Sequence, residues 1–477
     1  LEARQSGLMG TGDFFDVYYQ TDGGTFARIP NWNGQGNENH TLIGQFTNPT
    51  IVSGSGISGN SLVIKVIMYN NGSGSIHALD NILVEADMQY ISSTTTQNAL
   101  KIGPGRLHQH IIGIEVVTSG TANPLVLTSI SCNTNGSTQP DSNNFGNATV
   151  FYTGNSHLFA TIQQFGTTIP EPSASGFDIT GTQQLLPGIN YFWLAFDTKP
   201  GAVIGETVDA ECTSLLLSGS TIIPAITAPE GNRLISGGLN GPYHIGPGMV
   251  YPTFTDAVTD LNNLGISGPA NFLVYPGIYN EQIELVEVAG TSEINTISFQ
   301  STTGDPADVI LQYSPSSSSE NFIVRLFDSD EISFQGITFQ NSGTSPYGRV
   351  LVIAGASQNV SFSNNVFIGR DINSMSTSYD VISVLPDDSS TCNSVHIQNN
   401  SVSFGSTAIH IAGFNEQNVG QGAMILNNNI SNFGFRGILL SFQETPRILD
   451  NIIQGKSSTS TGQSGIYLND CTGPLQI

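Results

Sequence analysis

Few side chains in this 477-residue sequence are of the kinds that break bonds, and they are scattered. The second half offers the carboxylates Asp371, Asp380, Asp387, Asp388, Glu416 and Asp450, the cations Arg370, Arg436 and Arg447, and the imidazole of His410. Two such carboxylates on one face would supply the acid and base for cleaving a glycosidic bond; an acidic cluster beside a basic proton acceptor would hold Ca2+ for an elimination. Spacing argues against most of them. Asp387-Asp388 sits between Pro386 and Ser389-Ser390 and reads as a solvated loop. Arg370-Asp371 reads as a local ion pair at a strand end, Asp450 as a turn residue, and His410, within Ala-Ile-His-Ile, as an ordinary strand residue. Glu416 and Arg436 lie in separate stretches and are the pair a folded sheet could bring onto one face as a ligand contact. No residue is assigned a catalytic role.

In the first half the two tryptophans differ. Trp32, in Pro-Asn-Trp-Asn-Gly, belongs on a loop and is the better ligand contact, whereas Trp193 belongs in a core. The four cysteines (Cys132, Cys212, Cys392 and Cys471) form no CxxC or Cys/His spacing, so zinc is not supported. Cys132 and Cys212 fall in one expected domain, where a disulfide and a pair of buried thiols are both open.

The polymer that carries these groups is unusual in charge. Thirteen basic and 37 acidic residues give a net charge of −24, which repels phosphate backbones and anionic headgroups and excludes a nucleic-acid role. Charged residues are only 10% of the chain, so Ser, Thr, Asn, Gln and Gly must build the polar surface, as in extracellular β proteins. No apolar run reaches the roughly 18 residues that span a bilayer. The Leu-Glu-Ala-Arg start, which carries no signal peptide, and the Gly-Pro-Leu-Gln-Ile477 end read as a segment of something longer.

Residues 1–88 show strand alternation, with Phe15, Val17 and Tyr19 before a Thr-Asp-Gly-Gly turn (21–24), then Leu62, Ile64, Val66 and Met68. Asp-Phe-Phe-Asp-Val-Tyr-Tyr (13–19), Ser-Gly-Ile-Ser-Gly-Asn-Ser-Leu-Val-Ile-Lys-Val (55–66) and Leu-Asp-Asn-Ile-Leu-Val (79–84) resemble the jelly-roll, lectin-like domains of large secreted bacterial proteins. The resemblance implies that Asp80 is the place for a structural Ca2+, against the plainer reading of a strand-end carboxylate. No other cofactor is expected.

Residues 105–222 form a second β domain, with strands expected over 112–117, 125–132, 148–152, 191–196 and 210–217. Tyr191-Phe-Trp-Leu-Ala-Phe196 is apolar throughout and should be a central strand buried on both faces. Asn-Pro-Leu-Val-Leu-Thr-Ser (123–129), Val-Phe-Tyr-Thr-Gly-Asn (150–155), Gly-Ile-Asn-Tyr-Phe-Trp-Leu (188–194) and Val-Asp-Ala-Glu-Cys-Thr-Ser (208–214) resemble the Ig-like domain at the N-terminus of some BNR-repeat sialidases. That resemblance implies secretion and modularity, not sialidase activity, and no Ser-x-Asp-x-Gly-x-Thr-Trp repeat is present. A Pro/Gly linker is expected over 223–240.

From 241 onward the chain reads as a solenoid. Thr253 caps a helix whose apolar positions are Phe254, Ala257, Val258, Leu261 and Leu264, a lid that an open first coil requires. Beyond it a core recurs: Phe334-Gln-Gly-Ile-Thr-Phe, Phe362-Ser-Asn-Asn-Val-Phe, Ile397-Gln-Asn-Asn-Ser-Val, Ile425-Leu-Asn-Asn-Asn-Ile and Ile448-Leu-Asp-Asn-Ile-Ile, at intervals of 28, 35, 28 and 23 residues. Constant cores with variable spacers are what stacked coils show. The paired Asn suits a left-handed turn whose side chains bond from coil to coil. Gly-Pro-Tyr-His-Ile through Val-Tyr-Pro-Gly-Ile-Tyr-Asn-Glu (241–281) resembles right-handed β-helix proteins of the pectin-lyase type, although the methylesterase Gly-x-x-Asp-Phe-Ile-Phe-Gly signature is absent.

The expected fold is therefore all-β: a partial jelly-roll sandwich (1–88), an Ig-like sandwich (105–222), a linker (223–240) and a right-handed parallel β-helix with one capping helix (241–477). The expected role is an extracellular adhesin or scaffold at the cell surface, exported by a type IX kind of route and attaching to glycans or other surface ligands. A polysaccharide lyase or hydrolase and a self-associating filament subunit are the rivals.

Overall fold

A computed structural model describes residues 2–6, 14–29, 50–51, 56–59, 61–69, 76–80, 84–386, 390–457 and 462–477. The chain divides into two compact units, 1–89 with 119–124, and 90–118 with 125–477. In the first, Glu2–Ser6 pairs antiparallel with Thr50–Ile51 and Ile76–Asp80, and Phe14–Thr21 pairs antiparallel with Ala27–Arg28 and Leu62–Tyr69. The expected turn is there: Asp22 and Gly23 both take positive φ, and the Gly24 amide bonds the Thr21 carbonyl at 2.9 Å.

The second unit begins as an antiparallel sandwich of a five-stranded and a four-stranded sheet. Gly188–Thr198 is the middle strand of the larger sheet and buries both faces, as its unbroken apolar run requires. Phe192, Leu194 and Phe196 alternate with Trp193 and Ala195, which join Phe151 in a smaller cluster. Gln89–Gln97, Gln164–Pro170, Phe177–Gln184 and Ser220–Ile222 are further strands whose Thr, Ser and Gln content hid them in the sequence.

The stretch expected to link sandwich and solenoid is instead fixed to both. Arg233–Leu234 pairs with Thr207–Val208, and Arg233 is fully buried. Its guanidinium donates to the carbonyls of Leu100, Lys101 and His110 at 2.7–2.9 Å and to the Asn263 side chain at 3.4 Å. Asn263 lies in the capping helix, so one buried cation ties that helix to the sandwich. Burial lowers the Arg233 pKa to about 10. Arg106 bonding the Asn262 carbonyl and Lys101 paired with Asp260 add to the junction.

The capping helix, Phe254–Leu264, buries Phe254, Ala257, Val258, Leu261 and Leu264, the five positions the periodicity marks. Thr253 accepts the Asp256 amide at 3.1 Å, and the Glu281 carboxylate accepts the amides of Phe254 and Thr255, placing negative charge at the helix N-terminus. Gly265 ends the helix at φ 70°, where a Cβ would meet the Ala289 carbonyl at 2.4 Å.

Beneath this lid the chain winds as a parallel β-helix with three sheets of eight, seven and seven strands. In the first sheet Phe272, Phe299, Phe334 and Phe362 stack through the interior with centroids 4.8–5.3 Å apart, followed by Ile397, Ile425 and Ile448. The corner into the second sheet explains the paired Asn. Asn364, Asn399, Asn427 and Asp450 take φ of 55–57°. The next residues form a ladder: the side-chain oxygens of Asn400, Asn428 and Asn451 accept the backbone amides of Asn365, Asn400 and Asn428 at 2.8–2.9 Å. Each ladder amide also donates to a carbonyl, Asn400 to Phe362 and Asn428 to Ile397. Buried turn amides are thus satisfied by side chains on the next coil.

Candidate functional site on the outer face of the third sheet

Outward positions of the first sheet run Asn271, Ser298, Ser333, Ser361, His396, Met424 and Arg447, a half-exposed row of mostly small polar groups. The corresponding row of the third sheet is Glu284, Arg325, Val352, Ser383, His410, Leu439 and Tyr467. Its middle is buried. Val352 and Ala354 pack with Phe322 outside the barrel, and Ser383 has no exposure at all.

The long connection into strand Ile382–Val384 closes over this row and brings charge with it. Asp380 accepts His410 Nδ1–H at 2.8 Å and the Thr407 amide at 3.2 Å. The side chains are 1% and 12% exposed. Arg349 donates to the Thr377 carbonyl at 3.0 Å; burial lowers its pKa, and the Asp380 charge opposes that shift. Asn321 bridges the Ser378 carbonyl and the Arg349 amide at 3.0 Å. The Ser383 hydroxyl, neighbour of His410 in the ladder, is buried without a hydrogen-bond partner among the described residues. A carboxylate that fixes an imidazole tautomer is the arrangement of a general base. Here the carboxylate is sealed and the imidazole nearly so, and the cluster clamps the connection to the next coil.

Arg370 and Asp371 do not pair with each other. Arg370 donates to the Ser345 carbonyl and lies over the Tyr379 ring, while Asp371 pairs with Lys456. Neighbouring residues point apart along an extended chain, and adjacent coils supply nearer partners. Glu416 and Arg436 are also not brought together. Strand Thr407–Ala412 pairs with Arg436–Ser441, so Arg436 lies beside Thr407, whereas Glu416 follows Ala412 at the other end. A strand's length, roughly 17 Å, separates the two ends. Arg436 lies between aromatic rings, its guanidinium 3.8 Å from the Tyr467 centroid and 4.5 Å from that of Phe435. Arg447 is spent on Gln476 at 2.8 Å. Asp450 is a left-handed turn residue, as expected.

Asp387, Asp388 and Trp32 lie outside the described residues, as does the Asp80 side chain. Among the described residues no group of three or more His, Cys, Asp or Glu could hold a metal ion, and no helix is long and apolar enough to cross a membrane. Trp193 is buried, its Nε1 bonding Thr153 Oγ1 at 2.9 Å. Cys132 and Cys212 stand directly opposite on neighbouring strands as free thiols, not a disulfide, and Cys212 together with burial pushes the Cys132 pKa well up.

The sandwich has a separate concavity of about 550 Å3, walled by Leu158, Ile162 and Leu186 with the Gln163 and Gln183 amides bonded at 2.8 Å. No charged group lines it.

Sequence reasoning missed Arg349, Asn321 and Ser383. The usable signal was an apolar quartet in each spacer: Val-Ile-Ser-Val (381–384), Ala-Ile-His-Ile (408–411), Gly-Ile-Leu-Leu (437–440). Aligning these places Ser383, His410 and Leu439 in one row.

The fold and this surface define a multidomain all-β protein in which a sandwich precedes a parallel β-helix. Residues 105–221 match the family of the N-terminal domain of BNR-repeat neuraminidase. Over 53 residues the chain is 36% identical to a sialidase of Bacteroides fragilis (strain YCH46), covering 11% of this chain and about a tenth (10%) of that protein's length. Among solved structures it is similar to the Hadza microbial sialidase Hz136 (17% identity, TM-score 0.24, 30% of this chain and 31% of that one). It is also similar to the pectin methylesterase of Aspergillus niger (13% identity, TM-score 0.28, 48% and 91%). Neither score bears on what this chain does.

Proposed function

We propose that this chain is an attachment and scaffold segment of an extracellular, cell-surface protein, that its ligands are glycans, and that it performs no catalysis itself. The observation that carries the reading is the junction at Arg233: a sandwich of a kind found in neuraminidases is held by a buried cation to a closed solenoid. A fixed accessory module on a rigid rod presents a binding surface at a set distance and orientation, which suits attachment better than turnover. The sealed Asp380–His410 pair agrees with this, because a polymer substrate has to reach the base. The expected outcome on a glycan array is retention of the whole chain on a defined subset of glycans. Uniform absence of retention, with folding verified by circular dichroism, contradicts the reading.

A further inference from the structure

We infer that Arg436 is the anion contact of a glycan site on the outer face of the third sheet, and that its ligand is a glycan ending in a single carboxylated sugar. This rests on the glycan-attachment reading and names the ligand class for it.

Basic groups are scarce in a chain of net charge −24, and most are already engaged. Lys101, Arg325 and Lys456 pair with carboxylates; Arg233, Arg106, Arg349 and Arg370 donate to backbone carbonyls. The Arg436 guanidinium makes no hydrogen bond or ion pair among the described residues. What it has instead is a seat, with one aromatic ring on the next coil and one on the preceding residue. Cation–π contact of this kind fixes the plane of the guanidinium and leaves its N–H edge unspent. That edge matches a carboxylate bidentately.

The seat is also held from behind. The amides of Phe435 and Arg436 both bond the Ser406 carbonyl, at 2.8 and 3.2 Å, and the Gln463 side chain donates to the carbonyls of Phe433 and Gly434. A donor fixed before the ligand arrives loses little freedom on binding. Tyr467, 42% exposed, leaves part of its ring open to the rest of a sugar beside the cation.

The overall charge then selects among acidic glycans. A polyuronate brings many charges into a negative field and gains one contact, whereas a terminal acidic sugar brings one charge to the one free cation among the described side chains of this surface.

The test is titration of the whole chain with 3′-sialyllactose, lactose and polygalacturonate, read by saturation-transfer NMR and calorimetry. The inference expects binding of 3′-sialyllactose, at least tenfold weaker binding of lactose, and no gain with polygalacturonate. Arg436→Gln is expected to lose at least tenfold, Arg436→Lys several-fold, and Tyr467→Ala to weaken binding with the fold intact. Equal binding by Arg436→Gln and the unmodified chain overturns the site. Retention of neutral glycans with no response to 3′-sialyllactose overturns the ligand class while leaving attachment standing. Retention of no glycan of any kind overturns both.

Discussion

The outer faces of the first and third sheets belong to the same coils yet are built on opposite rules. The first carries Ser298, Ser333 and Ser361 half-exposed, with Ser298 bonding Asn271 on the preceding coil at 2.8 Å. The third buries Val352, Ser383 and Leu439 and folds Asp380 over His410. The difference comes from the connections: in the four Asn-bearing coils the turn out of the first sheet is two residues long and fixed by the side-chain ladder, whereas the connection into the third sheet varies in length from coil to coil. Where a loop is free to lengthen, it can cover a face and carry charge onto it. The constant corner of this solenoid is therefore locked by its ladder, and the variable corner is where the surface differs from coil to coil.

Removing the clamp should break that comparison most. Asp380→Ala takes away the partner of His410 and of the buried Thr407 amide, and roughly 3 kcal/mol of stability should go with it, measured by urea unfolding. Asn400→Ala cuts the ladder at the other corner, leaving the buried Asn365 amide without its acceptor and removing a donor from the Phe362 carbonyl, for about 2 kcal/mol in the same assay. Equal losses at a half-exposed first-sheet serine would remove the distinction between the faces.

Much of this architecture was legible in advance, and the reason is local chemistry. The five apolar positions of the capping helix, the Asn turns and the doubly buried strand at 191–196 each depend on residues within one turn or strand. The surface of the third sheet was not legible, because Asp380 and His410 are 30 residues apart across a spacer whose path no local rule fixes. Arg436 was expected to share a face with Glu416, but Tyr467 lies beside it instead. Arg233 was hidden in a stretch whose Pro and Gly content signalled a linker.

Two smaller effects sharpen the picture. His110, packed beside Arg233, has its pKa lowered to about 4 by burial and then by the Arg233 charge. In the window from 6.5 down to 4 the unfolded chain takes up a proton that the folded sandwich refuses, so this group costs stability as pH falls. Asp209, pushed up to about 6 by burial, acts in the opposite direction over 6 to 4. The His110 contribution should therefore be read as the pH dependence of the unmodified chain minus that of His110→Asn, which should slope towards lower stability in acid; a flat difference contradicts it. Smallest of all, Ser361→Ala on the half-exposed first-sheet face should change stability by less than about 0.5 kcal/mol.

The measurement that bears most directly on the central claim is turnover. The whole chain, incubated with acidic and neutral polysaccharides with and without Ca2+, should bind a subset and yield neither new reducing ends nor the absorbance of unsaturated products. Sustained product formation that Asp380→Asn or His410→Gln abolishes, with the fold intact, would make the Asp380–His410 pair a working base and the solenoid an enzyme.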